Sequence, residues 1–300
     1  MLTDEQLLRE LENRFKANKD SVLQLQKITA ELQELNKKLE ESEALKTHFI
    51  SNITNEIINP FAAILGLSRN ILDVKKEDWA RVMAMVQLIH SEAFNLDFQL
   101  KNIFAAAKLE AGEFLPEIMN VDVNQLIKSM LDTFRYEAEK KKINLIYELE
   151  PIPGIQKSFY FLTDPEKLRI ILSNLVSNAI NFSFEAGEVE VKAWLKEDNL
   201  CLSVTDYGQG VSDANKKIIF DRFRRLDPGI NSLNRGHGLG LSVNKAIIDL
   251  LDGTIELESE PGQKTTFTVC LPPGTENEHS SGFALDGNEF MFDSDDEQVF

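Results

Sequence analysis

The chain has 300 residues, of which 43% are hydrophobic, and a formal net charge of −17. This length is enough for about two globular domains, and the negative charge argues against nucleic acid or an anionic membrane surface as the main partner. Since no apolar run approaches the roughly 20 residues of a bilayer span and the N-terminus lacks the layout of a signal peptide, we expect a cytoplasmic protein without a membrane span.

Residues 1–45 are predicted to form a coiled-coil signalling stem. Apolar residues recur at steps of three and four, and neither Gly nor Pro interrupts them. Because a lone helix would leave this stripe in water, a two-stranded coiled coil fits best; the alternative is a helix packed on its own domain. The stripe consists of Leu8, Leu11, Phe15, Val22, Leu25, Ile28, Leu32, Leu35 and Leu39.

Residues 46–113 are predicted to form a hairpin of two amphipathic helices. The first runs on from the stem towards Leu72, a turn is expected at Lys75-Lys76-Glu77-Asp78, and the second starts at Trp79 and stops at Gly112, a usual helix-ending residue. One hairpin cannot cover its own apolar stripes, so we expect two copies to pair as a parallel homodimer with a four-helix bundle.

Residues 114–273 alternate between helical and strand patterns and predict an α/β sandwich, with antiparallel strands and helices on one face. Predicted helices cover 123–141, a segment from Asp164 onward, and 244–251; predicted strands cover 143–149, 188–195, 200–205, 254–259 and 265–271. Together with the helical N-terminal part, this makes the chain an α+β protein.

Two further features concern the sandwich and the chain beyond it. Cys201 and Cys270 lie in strand-like stretches at no metal-site or disulfide-framework spacing, so we expect reduced thiols that act as small core residues. Residues 274–300 contain eight acidic residues and neither Lys nor Arg. This segment lacks a periodic apolar face, so we expect a disordered tail.

The predicted helix after Asp164 carries four residues spaced to share one face: Asn174, Asn178, Asn181 and Phe182. Asparagine is a poor helix former, so a column of amides suggests oxygens offered to a hard cation. The alternative from this stretch alone is a solvated polar face.

Two glycine motifs follow. In residues 204–210 a strand runs into Asp206-Tyr207-Gly208-Gln209-Gly210, where a carboxylate ends the strand and the glycines let a flat ligand approach the backbone. In residues 236–241 glycines alternate and open a helix, and such amides suit phosphate. The spacing is not that of a Rossmann fingerprint. Between the motifs, residues 219–225 lead into a segment with the composition of a mobile lid.

In this order, the asparagine helix, the glycine motifs, the intervening Phe-rich segment and a last motif at 261–267 resemble the Bergerat-type ATP-binding domain of sensor histidine kinases. The resemblance extends from Phe49 to Pro273 and implies ATP and Mg²⁺ as ligands. Asn178 would hold Mg²⁺ with Asn174 alongside, and Asp206 would accept a hydrogen bond from the adenine amino group. The other nucleotide contacts it implies are Asn181, Phe182, Gly208, Gly210, Arg222, Arg235, Gly236, Gly238, Leu239, Gly240, Leu241 and Thr265.

Two positions depart from the family pattern. Asn181 stands where a basic residue is usual, and Lys264 stands where a second glycine is usual. Both changes are expected to lower nucleotide affinity, and Arg222 and Arg235 are the candidates to replace the missing phosphate contact.

Residues 49–61 resemble the phosphoacceptor segment of the same family. Glu56 matches the acidic residue that assists the acceptor, Asn59 the polar residue used in dephosphorylating a partner, and Pro60 the proline that loosens the helix. Asn55, however, stands where the phosphorylated histidine is expected. An imidazole nitrogen can attack phosphorus, whereas the lone pair of an amide nitrogen is delocalised. Structural or solvated roles are assigned to the four histidines: His48, His90, His237 and His279.

Three functions are open from the sequence. The chain is a histidine kinase in a phosphorelay to the receiver domain of a response regulator, unable to phosphorylate itself at Asn55 but able to act on a His-bearing paralogue. Alternatively it is a pseudokinase scaffold, or a response-regulator phosphatase that uses Glu56 and Asn59. The third is a structural coiled-coil dimer with a vestigial nucleotide fold.

Overall fold

The computed structural model describes residues 4–74, 78–150, 159–216, 218–221 and 238–275. Within its first helix, the side chains of residues 4–13, 17, 20, 38, 39 and 41–56 are not described. The chain divides into two compact units, residues 1–55 and 56–300. Among the described helices, none combines the length and apolar character needed to cross a bilayer.

Helix α1 (Asp4–Leu72) runs through the predicted stem and the first helix of the predicted hairpin without a break. In the first unit, six residues of the predicted stripe are more than half exposed in the single chain: Phe15, Val22, Leu25, Ile28, Leu32 and Leu35. The helix is therefore confirmed, and its pairing into a coiled coil stays a prediction.

The second unit contains helix α2 (Trp79–Ala111), whose ends were predicted from sequence. The Asp78 side chain accepts a hydrogen bond from the backbone N–H of Arg81 at 3.4 Å. Gly112 ends the helix with a left-handed φ of 70°, and its N–H donates to Leu109, which is a common helix ending. Residues 75–77 of the predicted turn lie outside the described part of the chain.

The remaining elements form the sandwich, and the predicted helices and strands are present with small shifts of their ends. In chain order they are β1 (Met119–Asp122), α3 (Val123–Lys140), β2 (Asn144–Leu149), β3 (Tyr160–Thr163), α4 (Pro165–Phe182), β4 (Glu188–Lys196), β5 (Asn199–Asp206), α5 (Asp213–Lys216), α6 (Gly240–Leu250), β6 (Thr254–Glu260) and β7 (Lys264–Leu271). The short elements β1, β3 and α5 were not predicted.

The main sheet has the strand order β2-β4-β5-β7-β6, and β1 pairs with β3 in a small second sheet. Antiparallel strands were predicted, and one pair of the main sheet departs from this prediction, because β2 and β4 are parallel. The chain leaves β2 and returns through β3 and α4, and a crossover of that length is what a parallel pair requires. The other neighbours in the main sheet are antiparallel.

The core lies between the helices and one face of the main sheet. Strands β4, β5 and β7 bury alternate residues on that face, and α4 buries its apolar side. Asp164 caps α4 by accepting a hydrogen bond from the N–H of Lys167 at 3.0 Å, and Pro165 follows in the first turn, as predicted. The sheet residues are Val189, Val191, Ala193, Leu200, Leu202, Val204, Phe267, Val269 and Leu271.

The prediction of two reduced thiols was wrong: Cys201 and Cys270 form a disulfide bond. The two residues are direct partners in the pairing of β5 with β7. Side chains directly opposite in an antiparallel pair are close, so the strand register brings the two sulfur atoms together. No sequence spacing signals this pairing, since the residues are 69 positions apart.

Helix α2 packs on the sandwich through a mixture of aromatic and polar contacts. The Phe94 and Phe98 rings lie 5.4 and 6.1 Å from the ring of Phe134 on α3, both edge-on. The Ser91 hydroxyl donates to the Glu137 carboxylate at 2.7 Å. These contacts place the second helix of the predicted hairpin against the helical layer of the sandwich.

Candidate functional site

The carboxyl group of Asp206 lies at the end of strand β5 and is 5% exposed. Its Oδ1 is buried without a hydrogen-bond partner among the described residues. Burial disfavours the charged form and raises the pKa of Asp206 from 3.8 to about 7. A buried acceptor without a partner is costly, so this atom is suited to receive a hydrogen bond from a ligand.

Two glycines close to Asp206 lie where a Cβ atom would clash with neighbouring backbone. A Cβ on Gly208 would lie 2.0 Å from the carbonyl oxygen of Phe182 and 3.0 Å from Asp206 Oδ1. A Cβ on Gly210, which has a left-handed φ of 68°, would lie 2.6 Å from the carbonyl oxygen of Glu260. The motif is therefore glycine-rich because the strand end is packed closely against α4 and β6.

Thr265 lies opposite Asp206 in the register of β5 and β7. It is 4% exposed, and its hydroxyl shares a hydrogen bond of 3.0 Å with Ser259 on β6. Ser183, which caps the C-terminus of α4 and bridges to Gly208, has a buried hydroxyl without a partner among the described residues. Asp206, Thr265 and Ser183 thus line one end of the sheet.

The asparagine helix is confirmed as α4, but its four predicted site residues have different surroundings. Asn178 and Asn181 are half-buried and Phe182 is 42% exposed. Asn174 is 2% exposed and is enclosed by other helices. Asn178 accordingly remains partly accessible to solvent, whereas Asn174 is part of the packing.

Asn174 is the centre of a buried amide network. Its Nδ2 donates to Oδ1 of Asn102 on α2 at 2.7 Å and to Oδ1 of Asn244 on α6 at 2.8 Å. Asn102 and Asn244 were not singled out from the sequence, because neither belongs to a recognised motif and their contacts with Asn174 join distant parts of the chain.

Helix α6 begins at Gly240, earlier than the predicted start at Asn244. Among the described residues, no side-chain cap is seen at its N-terminus, where Leu239 is the N-cap, and backbone N–H groups in the first turn of a helix are suited to bind an anion. Leu239 precedes the helix and is 2% exposed, while Leu241 is half-buried. Gly238 has a left-handed φ of 67°, which accounts for a glycine at that position.

Several predicted site residues lie outside the described residues. They are Arg222, Arg235 and Gly236, together with His237 and the acidic tail beyond Thr275. The side chains of Asn55 and Glu56 on α1 are likewise not described. Asn59 is exposed and Pro60 is buried within the same helix.

The arrangement fits a nucleotide better than a metal ion alone. Within the described ranges, no three His, Cys, Asp or Glu residues are grouped to hold a metal. An amide such as that of Asn178 is a neutral oxygen ligand, and Mg²⁺ bound to one or two protein groups takes further ligands from phosphates and water. Asp206, the start of α6 and Asn178 have the chemistry to contact a base, a phosphate and a cation, respectively.

The chain is similar to a known ATPase family and to known histidine kinases. Residues 163–275 match the family described as histidine kinase-, DNA gyrase B-, and HSP90-like ATPase. The circadian input-output histidine kinase CikA of Thermosynechococcus vestitus is 30% identical over 273 residues, which cover 86% of this chain and 36% of CikA. CikA of Synechococcus elongatus is 29% identical over 238 residues, which cover 77% of this chain and 30% of that protein.

A solved structure of a known protein is also similar to this chain. The crystal structure of full-length ShkA in complex with AMPPNP has a TM-score of 0.53 and 26% identity, covering 78% of this chain and 46% of that chain. The chain spans about a third of the length of the CikA relatives it matches.

Proposed function

The chain belongs to the sensor histidine kinase family, and we propose that it binds Mg-ATP and works in a two-component phosphorelay to the receiver domain of a response regulator. The observation that carries the proposal is the buried, unpartnered Oδ1 of Asp206 at the glycine-rich end of β5. In its ionised form this carboxylate accepts the hydrogen bond that an adenine amino group donates.

The remaining site residues have matching roles in this proposal. Gly208 and Gly210 allow the strand end beside Asp206 to pack closely on α4 and β6, and Phe182 and Thr265 border the base. The segment from Gly238 to Leu241, which leads into the first turn of α6, binds the phosphates through backbone N–H groups. Asn178 on α4 contributes an amide oxygen to Mg²⁺. Bound ATP supplies the phosphoryl group that is transferred.

Asn55 prevents this chain from phosphorylating itself. Its amide nitrogen has no free lone pair with which to attack the γ-phosphorus, so a phosphoryl group must go to a histidine of another chain. For phosphotransfer we therefore propose pairing through the helical hairpin with a His-bearing paralogue. A parallel homodimer, in which both copies have Asn55, is proposed for the scaffold and phosphatase functions, which need no histidine. The exposed apolar residues of the hairpin helices support pairing, and they include Ile58, Phe61, Leu65, Trp79 and Phe104.

A second candidate function is dephosphorylation of a response regulator. Asn59 is exposed on α1 next to Pro60, and its amide can orient a water molecule against an aspartyl phosphate of a docked receiver domain. This activity does not need the missing histidine. Its test is the half-life of phosphate on the cognate regulator, and equal half-lives with the unaltered chain and with Asn59→Ala would exclude it.

The main test restores the missing nucleophile. The unaltered chain, Asn55→His and the double variant Asn55→His/Asp206→Ala are incubated with Mg²⁺ and γ-labelled ATP, and protein-bound label is followed through acid and alkali. We expect acid-labile label on Asn55→His only. Label on neither Asn55→His nor the unaltered chain would contradict a working phosphotransfer site, and acid-labile label on the unaltered chain would contradict the role given to Asn55.

A further inference from the structure

The buried amides of Asn102, Asn174 and Asn244 join three helices. They are 6%, 2% and 0% exposed, respectively. Asn174 Nδ2 donates to Asn102, to Asn244 and to the Gly240 carbonyl. In addition, Asn102 Nδ2 donates to the carbonyl of Phe98 at 3.1 Å and Asn244 Nδ2 donates to the carbonyl of Ile171 at 3.0 Å. Each amide therefore has a defined orientation, and the network specifies one arrangement of α2, α4 and α6.

The network lies directly beneath the phosphate end of the site. Asn178, the proposed Mg²⁺ ligand, is one helical turn beyond Asn174 on α4. Gly240, the first residue of α6, has its carbonyl 3.2 Å from Asn174 Nδ2, and a Cβ at Gly240 would lie 3.3 Å from Asn174 Oδ1. A movement of the Asn174 side chain would consequently disturb both the cation ligand and the phosphate-binding turn.

Asn102 makes this arrangement depend on α2. If α2 leaves the sandwich, the Nδ2 of Asn174 loses its 2.7 Å bond to Asn102 and keeps only its two acceptors on α6, Asn244 Oδ1 at 2.8 Å and the Gly240 carbonyl at 3.2 Å. The arrangement of the three helices then has one buried hydrogen bond fewer, which is unfavourable. The cost falls on the arrangement of α4 and α6 that binds the phosphates. Docked α2 and the phosphate-binding arrangement should therefore stabilise each other, and the coupling acts equally in both directions.

We propose that Asn102 is a positioning residue for the triphosphate half of the nucleotide site, through which the position of α2 sets the affinity for Mg-nucleotide. The inference rests on the proposed ATP-binding function. It adds that the hairpin helix controls phosphate binding through one buried amide, independently of the adenine contacts at Asp206.

The first test separates phosphate binding from base binding. Affinities for Mg-AMPPNP and for adenosine are measured on the unaltered chain, on Asn102→Leu, and on the matched control Ser91→Ala. Ser91 is 3% exposed on the same helix and is bonded to α3 rather than to α4. We expect Asn102→Leu to weaken Mg-AMPPNP binding about fivefold or more, with adenosine affinity unchanged and neither affinity altered in Ser91→Ala.

The outcomes separate this inference from the function on which it rests. Equal losses for Mg-AMPPNP and adenosine, or equal effects of Asn102→Leu and Ser91→Ala, would assign Asn102 a structural role and overturn the inference alone. If the unaltered chain binds neither Mg-AMPPNP nor adenosine, the proposed ATP binding would be overturned, and this inference with it.

A second measurement needs no variant. Hydrogen exchange of the α2 backbone amides around Asn102 is followed on the unaltered chain alone, with adenosine and with Mg-AMPPNP. Reciprocal coupling predicts slower exchange with Mg-AMPPNP and no change with adenosine. Exchange that is the same in all three states would overturn the inference even if Asn102→Leu failed to fold.

Discussion

Asp206 and Thr265 face each other across the β5·β7 pair, and both side chains are buried at the same end of the sheet. The Thr265 hydroxyl is bonded to Ser259, whereas Asp206 Oδ1 has no partner among the described residues. Of these two opposed residues, Asp206 retains its capacity to bind a ligand and Thr265 shapes the surface beside it.

Adenosine affinity should depend on pH through Asp206. Its pKa is raised to about 7 by burial, and the ionised carboxylate accepts a stronger hydrogen bond from the amino group of adenine than the protonated form does. Adenosine affinity should therefore fall as the pH drops below 7, by at most about tenfold per pH unit, and become constant above about pH 8. Calorimetry with adenosine avoids titrating phosphates. A similar pH dependence in Asp206→Asn would contradict the assignment.

The free energy of unfolding should also depend on pH, with a defined sign. The folded pKa of Asp206 is above the unfolded value of 3.8, so the folded state holds the proton more tightly. The stability that this provides is fully present below about pH 4 and is lost as the pH rises towards about 7. Urea unfolding across this range should show a smaller decline in Asp206→Asn than in the unaltered chain.

Gly208→Ala should destabilise the domain by at least about 1–3 kcal/mol, the usual range for overpacking. The new methyl group would lie 2.0 Å from a backbone carbonyl of α4, which cannot rotate away. Gly66→Ala is the matched control, because Gly66 lies within α1 with no atom within 4 Å of the added Cβ. Gly66→Ala should raise the free energy of unfolding by about 0.5–1 kcal/mol. Urea unfolding that ranks the two variants the other way would contradict the packing described.

Lys167→Met should lower the free energy of unfolding by about 3–5 kcal/mol, because it leaves the buried Asp164 carboxylate without its cation. The Lys167 Nζ lies 2.7 Å from Asp164 Oδ2, and the two side chains are 3% and 2% exposed. Lys245→Met removes a pair with the same 2.7 Å distance but with side chains 45% and 56% exposed. This control should cost less than about 1 kcal/mol. Denaturant unfolding of both variants checks the difference, and equal costs would show that burial of the Lys167 pair does not matter.

Reduction of the Cys201–Cys270 bond should lower the free energy of unfolding by about 3–5 kcal/mol, because the disulfide closes a long loop between β5 and β7. Thiol labelling under denaturing conditions should detect no free thiols before reduction and two afterwards. The Cys201→Ser/Cys270→Ser variant should unfold like the reduced chain. Labelling of both thiols without prior reduction would show that the bond does not form in solution.

Local signals in the sequence were sufficient for most of the elements. The start of α4 follows from Asp164 and Pro165, and the end of α2 follows from Gly112, because caps act through backbone groups a few residues away. The short strands β1 and β3 were missed because four residues carry too little periodicity to be recognised.

For the candidate site, the sequence placed the residues on their helices and strands but did not predict which of them contact one another. The periodicity of α4 placed Asn174 and Asn178 on one face, but it could not indicate that α2 and α6 would cover Asn174 and leave Asn178 half-buried. Burial of that face depends on which helices pack beside it, which is a non-local property. The partners Asn102 and Asn244 were unpredictable for the same reason.

The sequence by itself determined the order and type of the main helices and strands, the motif residues of the proposed nucleotide site and the asparagine at position 55, because these depend on residue chemistry and short-range spacing. Only the tertiary structure decided that β2 runs parallel to β4, that Cys201 meets Cys270, and that Asn102 bonds to Asn174. Each of these depends on strand register or helix packing between distant parts of the chain, which no local pattern specifies.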